Sequence, residues 1–233
     1  MPRLGLIVPS SNTTMEGEFS MLSPQGFSVH TARLRLRTVT VKELSEMERE
    51  IEAEALKLAD AEVEVIGYGC TSGSLFKGLR HDKTIEARIE KTTGTPAVAT
   101  AGAVTSALKA LDIEKVAVAT PYTKEINNSE RKFLLSNGFQ VVDIRGLGIE
   151  DNLEIGRLDS QVAYELAMAL RHNEADGLFI SCTNFPTLDK IKMVEDALRK
   201  PVITSNTATF WTMLRKRGFS LRIWGFGALL ERA

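Results

Sequence analysis

Apolar positions along this chain fall into short blocks, and the blocks alternate between two periods. Residues 4–8 form a near-continuous apolar run that stops at Pro9, as a strand buried on both faces would. A second strand signal covers 27–34, and residues 42–60 read as one charged amphipathic helix. Residues 63–68 predict a strand, 84–91 a helix, 97–99 a short strand after Pro96, and 102–111 an alanine-rich helix. The pattern then restarts: strand 116–119, helix 126–136, strand 139–144, helix 160–172, strand 177–181, helix 189–198 and strand 202–204. Short apolar strands alternating with helices predict an α/β protein with mostly parallel sheets covered by helices on both faces.

The restart is an internal repeat. An offset of 112 carries Pro9 onto Pro121, Gly26-Phe27 onto Gly138-Phe139, Arg33 onto Arg145 and Cys70-Thr71 onto Cys182-Thr183. Further on the offset falls to 105, where Pro96 meets Pro201. Matches at strand ends matter most, because α/β sites are built there. The expectation is two similar Rossmann-like lobes enclosing a cleft. The first comprises 1–102 and 207–233 and the second 103–206, with the helices after Pro96 and Pro201 crossing between them.

Composition narrows the function classes. The chain has 233 residues, 43% hydrophobic and 25% charged, with net charge −1. No clustered basic excess points to nucleic acid or a membrane surface. The apolar stretches are too short to span a bilayer, and the first residues lack a signal-peptide layout, so a cytoplasmic location with reduced thiols is expected.

The two cysteines carry the candidate chemistry. Each ends a strand and precedes threonine and other polar residues: Cys70 in VIGYGCTSGS, Cys182 in LFISCTNFP. Read as helix N-termini, both places would stabilise a thiolate and seat an anion, with Thr71, Ser72, Ser74, Thr183 and Asn184 as further donors. An isolated cysteine is more often a small buried hydrophobe; two at repeat-equivalent strand ends favour catalysis. The first strand runs into PSSNTTME, where Asn12 either binds a ligand or caps a helix. Tyr122 stands at the equivalent place in TPYTKEIN, and Asn152 in DNLEIG reads locally as a cap. Three histidines without ligand spacing argue against a metal site, the absence of C-x-x-C against thiol–disulfide exchange, and the absence of a phosphate loop or G-x-G-x-x-G against nucleotides. No cofactor is expected.

Taken in order, PSSNTTME, GCTSGS, TPYTKEIN, DNLEIG and SCTNFP resemble the aspartate/glutamate racemase superfamily, and within it the maleate cis–trans isomerases, over nearly the whole chain. The resemblance implies two lobes related by a pseudo-two-fold axis and one catalytic cysteine per lobe, with the active site in the inter-lobe cleft. Cys70 is then the nucleophile and Cys182 the acid/base partner, while Asn12, Tyr122 and Asn152 bind carboxylates. It also implies a small carboxylate substrate and a homodimer. Amino-acid or hydantoin racemases using two cysteines as paired bases, or an arylmalonate-decarboxylase-like enzyme, are the alternatives. Arylmalonate decarboxylases are similar around Thr71-Ser72 and Tyr122 but carry only the second cysteine.

Overall fold

The computed structural model describes residues 1–232. Strands β1 (Arg3–Pro9), β2 (Ser28–Leu34), β3 (Val65–Tyr68) and β4 (Ala97–Ala99) form one parallel sheet in the order β2-β1-β3-β4. Strands β5 (Lys115–Thr120), β6 (Gln140–Gly146), β7 (Gly177–Ile180) and β8 (Val202–Thr204) form a second, in the order β6-β5-β7-β8. The repeat read from sequence is therefore a repeat of topology. Central strands are buried along their length, which is why they read as continuous apolar runs rather than alternating ones.

In each sheet the chain leaves the first strand to one side and returns on the other. Connections after β1 and β3, and after β5 and β7, therefore diverge and open a crevice at the strand carboxyl ends. Asn12 and Cys70 follow β1 and β3; Tyr122 and Cys182 follow β5 and β7.

Two departures of helix boundaries from the sequence expectation have a visible reason. The stretch 42–60 is not one helix. Helix α2 (Val41–Met47) and helix α3 (Ile51–Asp60) are separated by a 3₁₀ turn at Glu48–Glu50. The turn rotates Glu48 inward, where Arg88 Nη1 reaches it at 2.8 Å and Lys77 also pairs with it. Helix 160–172 stops early, at Met168, because Asp143 captures the backbone N–H of Arg171 at 2.9 Å. The helices after the last strand of each sheet, α6 (Thr100–Ala110) and α11 (Ser205–Lys216), pack against each other. Helix α11 also lies on β3: a β-carbon at Gly67 would come within 2.6 Å of Met213 Sδ. Among the described residues, no helix is long and apolar enough to cross a membrane.

Candidate active site

Four strand ends meet at one place. After β1, Asn12 Oδ1 accepts the N–H groups of Thr14 and Met15, both at 3.0 Å, and so caps helix α1 (Met15–Leu22). Its amide nitrogen then points across the cleft and donates to Thr183 Oγ1 at 3.1 Å. After β3, Cys70 is the N-cap of the short helix α4 (Thr71–Leu75), and its Sγ accepts Gly73 N–H at 3.3 Å. After β5, Tyr122 precedes helix α7 (Lys124–Ser136), and its hydroxyl is within hydrogen-bonding reach of the Cys182 sulfur. Asn152 opens helix α8 (Asn152–Gly156) and donates to Ser11 Oγ at 2.8 Å.

Cys182 differs from expectation. No helix begins there; the chain makes irregular turns until a 3₁₀ turn at Leu188–Lys190, and only then helix α10 (Ile191–Leu198) starts. Pro186 lacks an N–H, and the N–H groups of Thr187 and Leu188 are taken by Glu18 Oε1 from the other lobe, at 2.8 and 3.0 Å. Cys182 itself has φ of +93°, a left-handed conformation costly for a residue with a β-carbon.

Chain neighbours of the two thiols are bonded together. Thr183 Oγ1 donates to the carbonyl of Gly69 at 3.0 Å. Ser205 Oγ accepts from Thr71 Oγ1 at 2.8 Å and from Cys182 N–H at 3.0 Å, so one hydroxyl ties both cysteine motifs. Sequence reasoning missed Ser205; its position 105 residues after Thr100 was the available signal. It also missed Glu18 and Asn206, whose Nδ2 donates to Glu18 Oε2 at 2.7 Å.

Asn184 is placed in the site but spent on its frame. Its Oδ1 accepts Thr13 N–H at 2.8 Å and its Nδ2 donates to the carbonyl of Asn152 at 2.5 Å, leaving the backbone N–H, 3.3 Å from Cys182 Sγ. Thr71 and Thr183 hydroxyls are likewise committed to protein. Donors with capacity left are one N–H each on the Asn12 and Asn152 amides and the first N–H groups of α4, while the Ser72 and Tyr122 hydroxyls face the sulfurs and serve a ligand only by turning from them.

Electrostatics reverse one expectation. Placement at a strand end does not lower either thiol. Burial pushes Cys70 up, against the pull of Gly73 N–H and Ser72 hydroxyl. Burial pushes Cys182 up to about 12, against donation from Tyr122 and Asn184, with the nearby Cys70 charge adding to the rise. Burial also drives Tyr122 well above the usual phenol range, so it remains a donor. Behind it, burial pushes the Glu130 carboxyl up to about 7; one oxygen accepts Ser181 Oγ at 2.6 Å and the other has no partner. Every one of the ten residues singled out from the sequence is at most 5% exposed, so the site is closed. Among the described residues no group of three or more His, Cys, Asp or Glu could hold a metal ion.

The chain matches the arylmalonate decarboxylase family model over residues 4–230. It is 33% identical to the maleate isomerase of Geobacillus stearothermophilus, covering 98% of this chain and 97% of that one. To the arylmalonate decarboxylase of Bordetella bronchiseptica it is 27% identical, covering 100% and 98%. A variant of the maleate isomerase Iso from Pseudomonas putida S16, solved with maleate, superposes with a TM-score of 0.96 at 34% identity over 100% and 98% of the chains. A variant of the Nocardia farcinica maleate cis–trans isomerase, with a covalently bound succinylcysteine intermediate, gives 0.96 at 31% over 99% and 98%.

Proposed function

From the premise that the chain belongs to the arylmalonate decarboxylase family, with full-length likeness to its maleate isomerases, we propose that it is a cofactor-independent isomerase converting maleate to fumarate. The observation that carries this is the pair of buried cysteines held together from equivalent strand ends. A nucleophile in each lobe suits addition and elimination across a double bond. A decarboxylase site of the kind described for the family needs only the second.

Maleate is a planar dianion. Its carboxylates take the Asn12 and Asn152 amides and the first N–H groups of α4, together with the Tyr122 and Ser72 hydroxyls as these turn from the sulfurs. Cys70, as thiolate, adds to one alkene carbon. The π pair moves to the other carbon and into its carboxylate, where the same donors stabilise the developing charge. The Cys182 thiol supplies a proton to that carbon. The former double bond is now single and rotates. Cys182 thiolate then removes a proton from the carbon it protonated, the double bond re-forms as trans, and Cys70 leaves as thiolate. A Cys182 thiol raised to about 12 is protonated in the resting site, which supports its role as acid. Thiols that must stay free also support a reducing, cytoplasmic setting.

Proton NMR of the purified protein with maleate in D2O, without added cofactor, tests the proposal. Fumarate should form, and Cys70→Ser should abolish it. Absence of fumarate together with α-deuterium exchange into an amino acid would replace isomerase by racemase.

A further inference from the structure

Behind Cys70 lies a polar group that the mechanism above does not use. Tyr68 ends β3, two residues before Cys70, and strand alternation sends both side chains to the same face. Its ring is wholly buried and its hydroxyl has no hydrogen-bond partner. An unsatisfied buried donor is a standing cost to the fold. The hydroxyl and the thiol border the same small space: a β-carbon on Gly73 would lie 2.8 Å from Tyr68 Oη and 2.9 Å from Cys70 Sγ. Met47 Cε closes the same space, 2.9 Å from that position.

Three elements close around this space. The 3₁₀ turn brings Glu48, which is held by Lys77 and Arg88. Helix α5 (His81–Thr93) brings Arg88 and also His81, whose Nε2 is 3.6 Å from Glu48 and is likewise without a hydrogen bond. Helix α4 brings Cys70 itself. Glu48 is already met by two cations, so the remaining anion that Tyr68 can serve is the one created at Cys70.

We propose that Tyr68 is a second thiolate-holding phenol, donating to Cys70 Sγ once Cys70 has lost its proton to the medium, as the Tyr122 hydroxyl serves Cys182. The phenol keeps its own proton throughout. Burial and the Cys70 and Glu48 charges all hold it protonated. When the sulfur attacks carbon its charge is spent and the hydrogen bond is released; when the sulfur leaves, the bond re-forms. Whatever this does for turnover rests on Cys70 being the nucleophile, but ionisation of Cys70 can be read without any substrate.

In a Cys182→Ser protein Cys70 is the sole cysteine. Its alkylation rate by iodoacetamide, measured from pH 6 to 10, is proportional to the thiolate fraction below the midpoint. Adding Tyr68→Phe should lower that rate about tenfold at each such pH, the effect of losing one donor to the charged form. A rate unchanged by Tyr68→Phe overturns the proposal, and a loss of thermal stability alone would mark Tyr68 as packing. Should Tyr68→Phe fail to fold, 3-fluorotyrosine in the Cys182→Ser protein gives a second reading. The Tyr68 fluorine resonance should shift with the pH at which Cys70 ionises, and a resonance flat over that range overturns the proposal equally.

Discussion

Tyr122 and Glu130 show how burial assigns roles to single side chains. Tyr122 offers the site a hydroxyl that keeps its proton in the working range, beside a thiol that burial holds protonated at rest. Tyr122→Phe removes one donor and almost no volume. We expect kcat to fall on the order of 10²-fold, the usual loss of one preorganised donor, with unfolding free energy changed by no more than about 1 kcal/mol. Steady-state kinetics and urea unfolding check the two halves separately. Glu130 is buried with a carboxyl raised from 4.5 to about 7. Because the folded value lies above the unfolded one, its neutral form favours the native state. That contribution is complete below about pH 4.5 and is lost as pH rises through about 7. The loss amounts to about 3 kcal/mol at most. Urea unfolding at pH 5 and pH 8 should show a smaller difference in Glu130→Gln than in the parent protein.

At the scale of elements, legibility followed chemistry that is local in sequence. Strands buried on both faces announce themselves as apolar runs, and all eight were placed within two residues or so. Cys70 was readable because the strand, the cap and the helix it opens are contiguous. Cys182 was misread for the opposite reason. Thr187 and Leu188 resemble the opening of a helix until Glu18, 169 residues earlier, supplies the acceptor that fixes them as a turn. The break at Glu48 has the same origin, since Arg88 lies 40 residues away. Helix α11 was expected only as a helix after Pro201, and its limits were not legible in a run of threonine and asparagine that starts at a capping box, Thr204 with Thr207. The Glu18 acceptor should be expensive to remove. Glu18→Leu leaves two buried backbone N–H groups and one N–H of the Asn206 amide unsatisfied, and should lower stability by about 3 kcal/mol or more, measured by chemical unfolding.

For the whole molecule, the bonds that frame the site are also the bonds that join the lobes. Asn12 to Thr183, Thr13 to Asn184, Asn152 to Ser11 and Thr183 to Gly69 each cross from one sheet system to the other. Asn184 therefore looked from sequence like a ligand donor, and in the fold it is a stitch. Nothing in a single strand-end motif distinguishes the two uses; only the partner decides.

The connections after β2 and β6 add a further crossing. They meet in an antiparallel bridge, Thr38 with Asp151, where Val39 N–H donates to the carbonyl of Glu150 at 2.8 Å and Asn152 N–H to that of Arg37 at 2.9 Å. These segments fasten the same rim under which Asn152 and Ser11 lie, and we expect a dianion to reach the buried thiols by parting it. Only the open fraction of molecules captures substrate, so the bimolecular rate is scaled by that fraction. Chemistry between two pre-aligned sulfurs need not be the slow event; the swing of the rim against solvent is the competing clock. Added sucrose or glycerol at matched temperature should then slow kcat in proportion to relative viscosity, and a kcat indifferent to viscosity would return the clock to the carbon–sulfur bond.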